Sequence, residues 1–219
     1  MAIDSIEHWA RRLDDTARLT LGDAMVNIPC NTDEFRDERG NRRSVDPPLL
    51  AWIWGRRALP ADSIGEADAD VRLWWSLHAG TFDDGAIVPG GGSPLVKHGE
   101  MTGIEVWTER ELSAMHALWN AGRKFGRDDL ARRAIGAALW HVEHMQPDNA
   151  TNRAWGVHVF VMAAARTGTI EADLYAQTLV HNCTVGLGRP DVLSAWLLVD
   201  AARELRAVVQ TPIARGREA

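Results

Sequence analysis

The second half of this chain carries helix starts and stops at such close intervals that little besides antiparallel helical hairpins can satisfy them. Thr108-Glu-Arg-Glu111 has the spacing of a capping box, in which the Thr hydroxyl takes the amide of residue 111 and Glu111 reaches back. Leu112, Met115, Trp119, Gly122 and Phe125 then form one apolar stripe, and Gly126 supplies a left-handed end. A second helix is predicted from Asp128 to Met145, with Ala131, Ala134, Ile135, Ala138 and Val142 inward and Pro147 as its stop. The third, from Thr151 to Thr167, is apolar nearly all round and is therefore placed centrally, with Gly168 as its cap. A fourth occupies Ile170 to Val185. The fifth starts near Pro190, a good first-turn residue, and runs to Gln210 before Pro212. Starts near 108, 128, 151, 170 and 190 give a hairpin rhythm of about 40 residues, within the range of helical repeats.

The first half is less regular. Ile6, Trp9, Leu13 and Ala17 predict a helix from Asp4 to Leu21. The polar stretch 31–46 is expected to be a surface loop; it is acidic, but it lacks the ligand spacing of an EF-hand. Pro47 and Pro48 suit the first turn of a short helix that ends before Pro60, and another helix is expected over Gly65 to His78. Residues 80–107, rich in Gly, Pro and Asp, read as a long irregular loop of the functional or mobile kind. Gly90 to Ser93 lack the Lys and the spacing of a phosphate loop.

Composition narrows the function classes. No apolar run reaches the ~20 residues of a bilayer span, and the N-terminal MAIDSIEHWARRLDD has no apolar signal region, so a cytoplasmic protein without a membrane association is expected. Cys30 and Cys183 are too few for a disulfide framework or a four-cysteine zinc site and read as free thiols. The net charge of −6 disfavours nucleic acid as a partner. Ten tryptophans stand against one tyrosine; a tryptophan is first a core filler, and also a stacking platform for sugars and cations.

The stretch Leu118-Trp-Asn-Ala-Gly-Arg-Lys-Phe-Gly-Arg-Asp-Asp-Leu-Ala-Arg-Arg-Ala134, closing on Met145-Gln-Pro-Asp-Asn149, resembles one hairpin of a helical-repeat protein. Over residues 105–210 the chain is similar in architecture to the α/α-toroid enzymes, which include six-hairpin glycosidases, polysaccharide lyases and terpenoid cyclases; Gln146 and Trp155 echo residues those enzymes place after a second helix. The Asp-rich cyclase signatures are absent, and a full toroid needs more helices than this chain supplies. Tetratricopeptide repeats are the second likeness, although the second helix here is about one turn too long. The expected fold is mainly α, with seven to eight helices in antiparallel hairpins, as a partial α/α-toroid or a short solenoid or bundle. It is expected to be one domain over 1–219, with N-terminal helices in 1–79, a long loop in 80–107, a hairpin core in 108–210 and a tail in 211–219.

Alternating hairpins also polarise the stack. With the start of the helix at 108 as the top, the lower turns are minimal, Gly126-Arg127 and Gly168-Thr169, while the longer connections lie above. Helix N-termini at 108, 151 and 190 would add amides favourable to an anion there. His144, Asp148, His158 and His181 are the catalytic candidates at this end, as titratable groups able to move protons. Asn149, Asn152, Arg153, Trp155 and Asn182 are the ligand-binding candidates, offering hydrogen bonds, a cation and a stacking face. His141 and His144 are neighbours on a helix, but neither H-E-x-x-H nor E-x-x-H occurs, so no metal site and no cofactor is expected. Cys183 and His181 face some 200° apart on their helix and cannot pair.

Two functions follow as expectations. The first is a helical-hairpin interaction module that binds a protein partner or its own copy, because a short stack leaves an apolar end to be covered. The alternative is a small carbohydrate- or anion-acting enzyme of lyase or hydrolase type, with a small-molecule or saccharide ligand held in the polar top cluster.

Overall fold

The computed structural model describes residues 3–22, 34–36, 42–44, 47–54, 68–99, 103–145 and 152–210. Among them are eight helices: α1 (Ile6–Leu21), α2 (Pro47–Trp54), α3 (Ala69–Ala79), α4 (Ile104–Phe125), α5 (Asp128–His144), α6 (Val157–Thr167), α7 (Ile170–Val185) and α8 (Val192–Gln210). The fold is mainly α. The stretch expected to be a plain surface loop contains a small antiparallel hairpin, β1 (Glu34–Arg36) and β2 (Arg42–Ser44), with Phe35 opposite Arg43. Pro60, residues 65–67, Pro147 and the expected tail lie outside the described residues.

α4 and α5 form one hairpin and α6 and α7 another, each closed by the left-handed glycine expected, Gly126 and Gly168. α4 is buried on every side from Glu111 to Gly122, so it is the axis around which the other helices gather. The fifth helix of the stack does not lie chiefly on its predecessor. α8 finds its most extensive partner in α1, from the far end of the chain. Ser5 caps α1 by accepting the His8 amide at 3.2 Å. Trp9, Leu13 and Ala17 face inward; Trp9 Nε1 donates to Asp173 Oδ1 of α7 at 2.7 Å, and Arg206 of α8 donates to Asp14 at 2.5 Å. A single apolar core runs from Trp9 to Leu205.

Two helix starts differ from expectation. α4 begins a turn early, with Gly103 as its N-cap, so Thr108 is an interior, fully buried residue and the capping box does not form. Glu111 instead turns outward from its own helix to accept the amides of Leu95 and Val96, both at 2.6 Å. α6 begins late, at Val157, after a turn ending in Gly156. Gly156 has φ +64° and lies so near α4 that a Cβ there would stand 3.2 Å from the Leu112 carbonyl oxygen. Of the three N-termini placed at the top, the one at 108 is therefore interior to α4, and α6 has its start at Val157.

The irregular segment 80–99 is fastened along its length to the α4–α5 hairpin and climbs its flank. Asp84 meets Arg127 at the lower turn; Arg133 donates to the carbonyls of Val88, Ser93 and Pro94 at 3.1, 2.8 and 2.8 Å. Trp107 Nε1 donates to Val96 O at 3.0 Å. Between these points the Gly91 carbonyl presses on α5 at Gly136, where a Cβ would come within 1.9 Å of its oxygen. Only a glycine at 136 leaves room for that backbone.

Candidate functional site

The strongest concentration of chemistry is a sealed polar hub where α4, α6 and α8 meet. Asp200 Oδ2 accepts from Asn120 Nδ2 at 2.7 Å and from His116 Nε2 at 3.0 Å, and Arg203 donates to Asp200 Oδ1. The Gly156 amide donates to His116 Nδ1 at 3.2 Å. That bond makes Nδ1 an acceptor, so the ring proton sits on Nε2 and points at the carboxylate. Burial alone would raise the Asp200 carboxyl, but hydrogen bonds from His116 and Asn120 and the charges around it bring it down to about 2. Trp74 and Trp155 lie 5.6 and 6.2 Å from the His116 ring, and Trp74 Nε1 donates to Ser113 Oγ at 3.0 Å.

His158 stands edge-on to His116, with ring centroids 4.3 Å apart, and both its nitrogens are buried without a hydrogen-bond partner among the described residues. Burial pushes it well below its ordinary value, so it is neutral. One turn beyond Asp200 is Glu204. Burial is the main cause that raises its carboxyl to about 7, with the Asp200 charge adding to it. Arg123 Nε approaches Glu204 Oε2 to 3.2 Å, yet that oxygen has no hydrogen bond of acceptable geometry, so the arginine offsets only part of the burial. Two carboxyls on one helix are thus pushed in opposite directions, an arrangement that separates acid from base in enzymes.

A second buried group lies towards the start of α4. Glu111, besides its two amides, comes within 3.8 Å of His141 Nε2. His141 stacks on Trp107 (centroids 5.9 Å apart, 13° between planes), and neither ring nitrogen is hydrogen-bonded. Tyr175 packs flat on Phe160 at 4.2 Å; its hydroxyl has no partner, and burial raises its pKa.

The nine residues singled out from the sequence are distributed over different environments. His158 and Trp155 enter the hub or its wall. Arg153 pairs with Glu109 of α4 at 3.0 Å, and Trp155 Nε1 donates to the same carboxylate at 3.4 Å, so both pin the turn before α6 onto α4. Asn152 is exposed and Asn182 half-buried. His144 is exposed, stacked on Trp140 at 4.5 Å with Nδ1 2.9 Å from the Trp140 carbonyl. His181 is exposed on α7. Asp148 and Asn149 lie outside the described residues. Buried His158 therefore does not share a surface with exposed His144 and His181. Cys183 is a free buried thiol whose pKa burial raises to about 12.

Sequence reasoning missed His116, Asn120, Asp200, Glu204 and the role of Glu111. The signal was present as two polar pairs at i, i+4 spacing, His116/Asn120 and Asp200/Glu204, each set among alanines, leucines and tryptophan that had to be inward. Among the described residues no group of three or more His, Cys, Asp or Glu side chains is arranged to hold a metal ion, and no helix is long and apolar enough to cross a membrane. No protein-family model, curated protein or solved structure matches the chain.

Proposed function

We propose that this protein is a helical interaction module that associates with a second copy of itself through the outer face of α7. The observation that carries this reading is a stripe on that helix. Ile170, Leu174, Thr178, His181 and Val185 fall within an arc of about 80° at 3.6 residues per turn. All but the half-buried Thr178 are exposed. Val185 is 61% exposed, and Leu187 beyond the helix end 64%. α7 is thus apolar on the face it turns away from the core as well as on the one it buries, and such patches mark interaction sites. None of the stripe's five residues is an acid, Lys or Arg, so two copies can meet about a two-fold axis without like-charge repulsion. The hub supports the same reading, since His116 and His158 are wholly buried and His116 spends both ring nitrogens tying α8 and the turn before α6 to α4. Sedimentation velocity from micromolar to millimolar protein is expected to show a dimer, and the pair L174E and V185E a monomer of unchanged helicity. A wild-type monomer throughout that range would remove the reading.

A second reading, acid–base catalysis on a small carbohydrate or anion, is favoured by the opposed carboxyls of Asp200 and Glu204. It requires a proton on Glu204 near neutrality. A carboxyl raised in the folded state contributes stability that is complete below its unfolded value, near 4.5, and is lost as pH rises through about 7. Stability is therefore expected to fall by about 3 kcal/mol between pH 5 and 8, since each pKa unit is 1.36 kcal/mol, and in Glu204→Gln this fall should disappear. A wild-type profile that matches the variant's would leave this reading without its acid.

A further inference from the structure

The flank of the α4–α5 hairpin carries a feature that neither the hub nor the α7 face uses. Between the strapped segment and α5 is an open groove of about 470 Å³. Arg127, Arg132 and Arg133 line it, against the carboxylates of Asp84 and Asp129. Arg127 binds both of those acids, at 3.2 and 2.7 Å, and so accounts for them.

The other two arginines make no direct ion pair among the described residues. Arg133 is 9% exposed and gives all its hydrogen bonds to neutral oxygens, those of Val88, Ser93 and Pro94. Its Nε is buried with no partner, and no carboxylate lies within ion-pair distance of it among the described residues. Buried cations are ordinarily paired in direct contact; the Glu111 carboxylate acts on this one only from beyond ion-pair distance, so its guanidinium meets the groove without a directly bound acid. Arg132, exposed next to it, makes no ion pair or hydrogen bond among the described residues. Ile87 and Pro89 of the strapped segment and Leu130 of α5 add an apolar lining.

The groove is also built in advance. Gly136 admits the Gly91 carbonyl onto α5, Arg133 holds the carbonyls of residues 88, 93 and 94, and Glu111 holds the amides of 95 and 96. A wall fixed in this way needs no ordering when a ligand arrives, which removes part of the cost of binding. The volume lies within the range of small-molecule sites.

We propose that this groove binds a small organic anion, its charged head at Arg132 and beside Arg133, its apolar body against Ile87, Pro89 and Leu130. Phenyl phosphate is the probe, and the backbone amides of Gly90 and Gly91 are the reporters in a nitrogen–proton NMR titration. Saturable shifts of both glycines are expected with phenyl phosphate and not with phenol. Arg132→Glu is expected to weaken binding at least tenfold; Arg11→Glu, the same charge change on the exposed face of α1, is expected to leave it unaltered. Arg132 carries the test because Arg133 also holds the segment in place. Absence of saturation at the two glycines, equal shifts with phenol, wild-type affinity in Arg132→Glu, or equal weakening in Arg11→Glu would each overturn the proposal.

Discussion

Replacing Asp200 by alanine is expected to destabilise the protein by about 3–5 kcal/mol, because two buried donors lose a charged acceptor at about 1.5–3 kcal/mol for each hydrogen bond. The His116 Nε2 proton and the Asn120 amide would lose their acceptor in a site 0–1% exposed. His116 cannot relieve this by moving its proton to Nδ1, because the Gly156 amide already points there. Asp200→Asn should cost less, about 1–2 kcal/mol, since one amide oxygen still accepts from His116 and Asn120. Arg203→Ala should cost under about 1 kcal/mol, its side chain being half exposed. Urea unfolding at pH 7 checks the order. Equal losses for Asp200→Ala and Arg203→Ala would mean that the surface arginine, not the buried pair, holds the hub. Because the Asp200 carboxyl is held at about 2, below its unfolded value near 3.8, its contribution is present above pH 4 and is lost only as pH falls towards 2.

The second large effect is expected at Glu111. Its two oxygens each take one amide of the strapped segment at 2.6 Å, in a side chain with no exposure. Hydrogen bonds to a charged group contribute about 1.5–3 kcal/mol each, so Glu111→Ala should lose about 3–5 kcal/mol and leave two buried N–H groups unmet. Glu111→Gln keeps one acceptor and should lose roughly half of that. The measurement that separates this from a general loss of packing is amide exchange. Leu95 and Val96 should exchange much faster in both variants, while Ala163 and Leu197 in α6 and α8 keep their protection. Uniform acceleration across all four positions would count against a local strap.

Much of the helical architecture was legible in the sequence because its signals are local. α7 runs from Ile170 to Val185 as read, and Gly126 and Gly168 end their helices as their positions after apolar stripes implied. The errors lie where a distant partner outbid a local pattern. Thr108-x-x-Glu111 has the letters of a capping box, but the carboxylate is drawn to amides 15 and 16 residues upstream. The start of α6 is set by Gly156, whose amide serves a histidine 40 residues away. The buried polar groups were hard to read for a related reason. His144 and His181 are exposed near the ends of their helices, while the organised polar groups His116, Asn120 and Asp200 sit inside helices on faces that are otherwise apolar. His158 was found because it interrupts an otherwise apolar run.

The pairing of α1 with α8 sets a condition on how the chain reaches this structure. Asp14 and Arg206 are 192 residues apart, and Trp9 and Asp173 are 164 apart. Synthesis at ~5–20 residues per second separates the emergence of those helices by some ten seconds or more. In that interval the two central hairpins can close on local contacts, whereas α1 carries Trp9 and Leu13 with nothing to cover them. Its docking is a loop closure over most of the chain, favouring slow, late completion over stepwise growth from the N-terminus. A newly made chain is therefore most exposed to capture by chaperones, or by another chain's α8, at α1.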